Sequence, residues 1–151
     1  MARKKGSGAL KKIGYEFLEH TADVKFRAYG KNFEEAISNA GKATIAVMTD
    51  ISAIRQKKTK EIKIESKTKE SLVYDFLEKL VFLIDTEGFL MKEVKRINVK
   101  KRNGLLSLNA VLKGDNARNY DVHTYIKAVT YSDMLIDEEK KGCAIQVVHD
   151  I

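Results

Sequence analysis

Val24-Lys25-Phe26-Arg27-Ala28-Tyr29-Gly30, followed by Asn32-Phe33-Glu34-Glu35-Ala36-Ile37 and on to Met48, decides the fold class. In the first seven residues Val24, Phe26 and Ala28 share one face and Lys25, Arg27 and Tyr29 the other, the period of a half-buried strand. Gly30 turns the chain. From Phe33 the period changes: Phe33, Ala36, Ile37, Ala40, Ala43 or Thr44, and Val47 recur at helical spacing. Asn32 with Glu35 three residues on forms a capping-box pattern, so the spacing predicts a helix over Phe33–Met48. Gly41 inside it costs helix stability and leaves room for another element to pack closely.

The same reading extends in both directions. Tyr15–Leu18 reads as a short strand, and Thr59–Glu65 alternates with Ile62 and Ile64 inward. Thr68 or Ser66 can cap a second helix whose stripe is Leu72, Val73, Phe76, Leu77, Leu80, Val81 and Ile84, with Gly88 just past its end. Strands follow around Val94, Ile97 and Val99, then a hairpin turn at Asn103-Gly104, then Leu106, Leu108, Ala110 and Leu112 facing inward. Asp121 is expected to cap a short helical piece bearing Val122, Tyr125, Ile126 and Val129. Met134 and Ile136 suggest a strand, Asp137–Gly142 a polar connection, and Cys143, Ile145 and Val147 a last strand running to the end of the chain. These elements predict an α+β domain, with two main helices on one face of a largely antiparallel sheet.

The 151 residues suit one domain, expected over 13–151, and 44% hydrophobic content excludes wholesale disorder. No apolar run is long enough to cross a membrane and none near Met1 reads as a signal peptide, so a cytoplasmic protein is expected. The single cysteine, Cys143, excludes an intramolecular disulfide framework and a multi-cysteine zinc site, and its inward position suggests a packed thiol. The net charge is +7, but Arg3, Lys4, Lys5, Lys11 and Lys12 stand in residues 1–12 without an acid, leaving 23 basic against 21 acidic residues over 13–151. Residues 1–12 read as a basic, flexible arm. Two further basic runs, Arg55 to Lys63 and Lys95 to Arg102, either meet phosphates or are solvated surface; no aromatic residues are interleaved as stacking platforms.

The sequence has no P-loop pattern, no GxGxxG, no HExxH and no GxSxG. Three places remain where chemistry could sit. His20-Thr21-Ala22-Asp23 joins two strands; a His and an Asp three apart could reach one ion, although a turn role for Thr21 and Asp23 is commoner. His149-Asp150-Ile151 ends the chain while the strand still reads as ordered. That would fix the terminal carboxylate of Ile151 beside Asp150 as oxygen ligands for a hard cation, or else leave a plain acidic strand end. Lys127 stands among apolar and hydroxyl residues from Tyr125 to Tyr131, where it could aim at an anion or extend to solvent.

Taken in order, Tyr15-Glu16-Phe17-Leu18-Glu19-His20-Thr21-Ala22-Asp23, Leu77-Glu78-Lys79-Leu80 with Asp85-Thr86-Glu87-Gly88-Phe89, Ile126-Lys127-Ala128-Val129-Thr130-Tyr131 and the terminal Val147-Val148-His149-Asp150-Ile151 resemble the archease family over about residues 13–151. The resemblance implies a small α+β protein that assists the RtcB-type RNA ligase of tRNA splicing. It would promote ligase guanylylation by GTP in the presence of Mn²⁺ and multiple turnover, without catalytic residues of its own. It implies a divalent metal, usually calcium with magnesium or manganese as alternatives. The ligands would be Asp23, Asp150 and the Ile151 carboxylate, with His20 and His149 as neighbours, and Lys127 would take part in activation. tRNA halves would be met indirectly or through basic patches. Two features depart from the family: Ser132 follows Tyr131 where many members have histidine, and the basic arm is not a common feature. A stand-alone RNA-binding module, a metal-dependent phosphoester hydrolase on Asp23 and Asp150, and a general chaperone are the rival readings.

Overall fold

A computed structural model describes residues 13–19 and 23–151. The basic arm at 1–12 and His20, Thr21 and Ala22 lie outside the described residues. The elements run β1 (Tyr15–Leu18), β2 (Val24–Gly30), α1 (Phe33–Met48), β3 (Lys58–Ser66), α2 (Lys69–Glu87), β4 (Phe89–Arg102), β5 (Leu105–Asn116), β6 (Ala128–Val129), β7 (Leu135–Glu139) and β8 (Gly142–Asp150). The class is α+β, with two helices on antiparallel strands.

The strands divide into two sheets. One has the order β1-β2-β8-β6, with β7 also pairing β8; the other has the order β3-β5-β4. Every pairing is antiparallel. Helix α1 packs on β2 and β8 of the first sheet and on β4 of the second, while α2 packs on β3 and β4 and reaches β6 and β7. Contact on two sides explains why α1 buries more than the stripe read from its sequence: Ile45 and Met48 are also buried.

Local signals hold. Asn32 Oδ1 accepts from the Glu35 N–H at 2.9 Å, but the Glu35 carboxylate reaches back to the Lys31 N–H, at 2.6 Å, one residue before the cap. Thr68, rather than Ser66, caps α2 with Ser71 reciprocating, and Gly88 ends it at φ 64°. An added Cβ on Gly41 would lie 3.0 Å from both Leu80 and Phe76, so the bare backbone is what lets α1 and α2 close on each other. Asn103 and Gly104 take φ of 53° and 79°, the left-handed pair that a tight hairpin needs.

Two expectations change. Residues 121–127 are not helical. Their backbone is held instead by α1: the His123 and Thr124 N–H groups both donate to the Met48 carbonyl, at 3.0 and 3.4 Å. A helix C-terminus has carbonyls without intrahelical partners, and the extended segment supplies two N–H donors to one of them. The polar connection before the last strand is also shorter than expected, because β7 runs through Asp137 to Glu139 and pairs with β8.

Candidate functional site

The last strand is central to its sheet. His149 of β8 pairs with Val24 of β2 on one side and Val129 of β6 on the other. Asp150 pairs with Ala128, and the Lys127 N–H donates to the Asp150 carbonyl at 2.8 Å. One step beyond Val24 stands Asp23. The register therefore brings Asp23 and Asp150 from opposite ends of the sequence to neighbouring ladder positions, with the terminal Ile151 next in line. Chain ends usually fray; this one is paired on both flanks at His149 and on the β6 flank at Asp150.

Around Ile151 opens a cleft of about 820 Å³, lined by Phe17, Glu19, Asp23, Val47 and Thr124 among others. Glu19 adds a carboxylate that residue patterns alone did not single out; its only sequence signal is its place beside His20. Thr124 and Val47 come from segments distant in sequence and carry no local signal. Asp150 is exposed at the rim of the strand. Among the described residues, no group of three or more His, Cys, Asp and Glu side chains stands close enough to hold a metal ion. The expected set differs in kind, being two side-chain carboxylates and the main-chain terminus. Its chemistry, all hard anionic oxygen, fits Ca²⁺, Mg²⁺ or Mn²⁺, with water left to supply the rest of a shell.

His149 points the other way. Alternation along β8 puts it on the face of Val147 and Ile145, and it is wholly buried. Its ring meets Phe26 edge-on at 5.3 Å between centroids. Its Nε2 lies 2.9 Å from Thr44 Oγ1, and that hydroxyl donates to the Ala40 carbonyl at 2.9 Å. The hydroxyl oxygen is thus left to accept, which assigns the proton to Nε2. Among the described residues, Nδ1 is buried without a partner. Burial lowers the imidazole pKa to about 4, so His149 is neutral at physiological pH. It reaches Thr44 of α1 rather than the carboxylates.

Lys127 is exposed rather than desolvated. Its backbone adjoins Asp150, yet it lines a different cleft, about 580 Å³, beside Asp75, Glu78, Phe82 and Asp85 of α2. Tyr131 stacks on Tyr74 at 4.5 Å, and Ser132 donates its N–H to Thr130 Oγ1 at 3.2 Å. Cys143 is buried, and burial, with Glu138 nearby, pushes its thiol up to about 11.

The arrangement has counterparts. A sequence model described as the Archease protein family matches residues 15–151. A protein archease of Methanosarcina barkeri is 37% identical over 139 residues, covering 91% of this chain and 95% of its own. One from Sulfurisphaera tokodaii is 35% identical, covering 91% and 98%. The solution structure of Methanobacterium thermoautotrophicum protein 1598 superposes with a TM-score of 0.77 at 31% identity, over 91% of this chain and 99% of that one. A Thermotoga maritima crystal structure, described as "an archease, possible chaperone", shares the fold at a TM-score of 0.57 and 20% identity, over 94% and 98%.

Proposed function

This chain belongs to the archease family, and from that premise we propose that it activates the RtcB-type 3′-phosphate RNA ligase of tRNA splicing. It joins no RNA itself. It promotes guanylylation of the ligase by GTP and frees the ligase for repeated turnover. The observation that carries this reading is the register of the last strand, which sets Asp23 beside Asp150 and the chain terminus on a rigid sheet end.

In this reading Asp23, Asp150 and the Ile151 carboxylate hold a divalent cation, a set matched by calcium's tolerance of mixed carboxylate and water ligands. The bound ion would supply positive charge where nucleotide phosphates gather. The chain's own part is positional. β2 and β6 fix the acidic end from both sides. The Thr124 and His123 amides tie the neighbouring segment to α1, so the end is presented to the ligase as one unit. Lys127, exposed beside this end, contacts the ligase or its phosphates.

The test is multiple-turnover ligation by the organism's own ligase at low concentration with GTP and Mn²⁺. This protein is compared with its Asp23→Asn variant and with a form extended past Ile151. Stimulation by the first alone supports the reading; equal stimulation by all three removes the acidic end from it. A general chaperone would instead suppress aggregation of unrelated clients, which the same preparations can be assayed for.

A further inference from the structure

The second sheet turns one face to the helices and the other to solvent. Leu108, Ala110 and Leu112 of β5 are buried on the inner face, so the alternate positions Asn109 and Lys113 belong to the outer one. The register sets Asn98 and Lys63 beside Asn109 and Glu93 beside Lys113, and the same alternation puts Arg96, Lys100 and Arg102, the partners of Val111, Ser107 and Leu105, on this outer face. The row on β4 depends on a bulge. Pairing shifts between Val94 and Arg96, leaving Lys95 as the extra residue. This is why Val94 and Ile97, three apart, both face inward, and why Arg96, Asn98, Lys100 and Arg102 then project outward in step, roughly 7 Å apart.

This face carries Arg96, Lys100, Arg102, Lys63 and Lys113 against three carboxylates, Glu61, Glu65 and Glu93, the last paired with Lys113 near one end of the row. Lys63, Arg96, Lys100 and Arg102 are exposed, and none is held in an ion pair among the described residues. An open depression of about 550 Å³ lies over the bulge, with Arg96, Asn98 and Asn109 in its lining.

We propose that the outer face of the β3-β5-β4 sheet is a binding surface for the sugar–phosphate backbone of double-stranded RNA. The charge calls for a polyanion. The face has no aromatic residue among the positions named, so it cannot stack unpaired bases, and it lacks the buried aromatic anchors on which an acidic protein partner would settle. It sends no helix or ribbon outward to enter a DNA major groove. A broad face with exposed, interleaved Asn98 and Asn109 suits the wide, shallow minor groove of A-form RNA, where 2′-hydroxyls are displayed. The inference does not rest on ligase activation: either can fail while the other stands.

The experiment is fluorescence anisotropy with the full chain and a labelled RNA duplex across a salt series. Arg96→Gln/Lys100→Gln/Arg102→Gln should weaken binding about tenfold and reduce the salt slope by about 2.7, as expected for three lost duplex phosphate contacts. Arg96→Lys/Lys100→Arg/Arg102→Lys should bind as wild type, which separates charge from misfolding. Arg3→Gln/Lys4→Gln/Lys5→Gln tests the basic arm. Unchanged affinity and slope in the sheet triple, or loss in the arm triple alone, overturns the proposal. A DNA duplex of the same sequence should bind several-fold more weakly; equal binding overturns the assignment to RNA. The ligation assay on the same sheet triple reports separately on the ligase reading.

Discussion

At the scale of single residues, environment decides what each ionisable group can do. Cys143 packs inward from β8, and its raised pKa leaves almost no thiolate near neutrality. Native protein should therefore react with a thiol-specific disulfide reagent near pH 8 only slowly, and stoichiometrically once denatured. Its strand position alone had indicated a packed thiol. Asp115 is a different case. Tyr120 donates its hydroxyl to Oδ2 at 2.7 Å and the Asn116 N–H donates to Oδ1 at 2.8 Å. Those bonds, the hydroxyl first, hold its pKa below the ordinary value. A carboxylate with a depressed folded pKa stabilises the fold above its unfolded pKa, and that contribution is lost as pH falls through the folded value. Tyr120→Phe should thus destabilise the protein at pH 7 and differ less from wild type near pH 3 in denaturant titrations. Nothing in the local sequence pairs Asp115 with Tyr120. The same is true of His149: its place next to Asp150 suggested a shared role, but strand alternation sends it into the core against Thr44 and Phe26.

At the scale of elements, periodicity did most of the work. The bounds of α1 match the expected span because the Asn32 cap and the apolar stripe agree. Helix α2 fits equally well, with Phe76 and Leu77 wholly buried. Burial of such side chains contributes about 1.5–3 kcal/mol each. Two glycines make its setting testable. Gly88→Ala should cost about 1 kcal/mol, because φ 64° strains any residue with a Cβ. Gly41→Val should cost on the order of 2–3 kcal/mol by overpacking against Leu80 and Phe76, read as a lower melting temperature. The expected helix after Asp121 shows where periodicity fails. Val122, Tyr125, Ile126 and Val129 fit a helical stripe, yet Met48's carbonyl and the edge of β8 hold that stretch extended. Short apolar patterns are ambiguous, and tertiary partners arbitrate.

At the scale of the whole molecule, the acidic end depends on contacts between sequence extremes. If Asp23, Asp150 and the terminus bind calcium, extending the chain past Ile151 removes the α-carboxylate without touching the fold. Calcium affinity, read by titration calorimetry, should then fall at least tenfold, about 1.4 kcal/mol, while the melting temperature in chelator stays unchanged. The same scale governs the basic sheet face, whose charges come from β3, β4 and β5. By itself the sequence determined the helices, most strands, the hairpin turn and the residue types at the chain end, because caps and periods are local and act within a few residues. Only the tertiary structure decided that the strands form two sheets, that α1 is buried from two sides, and that Asp23 stands beside Asp150 while Lys127 opens into another cleft. Those outcomes follow from register and packing between distant segments, and a one-residue slip in pairing would send every one of those side chains to the opposite face.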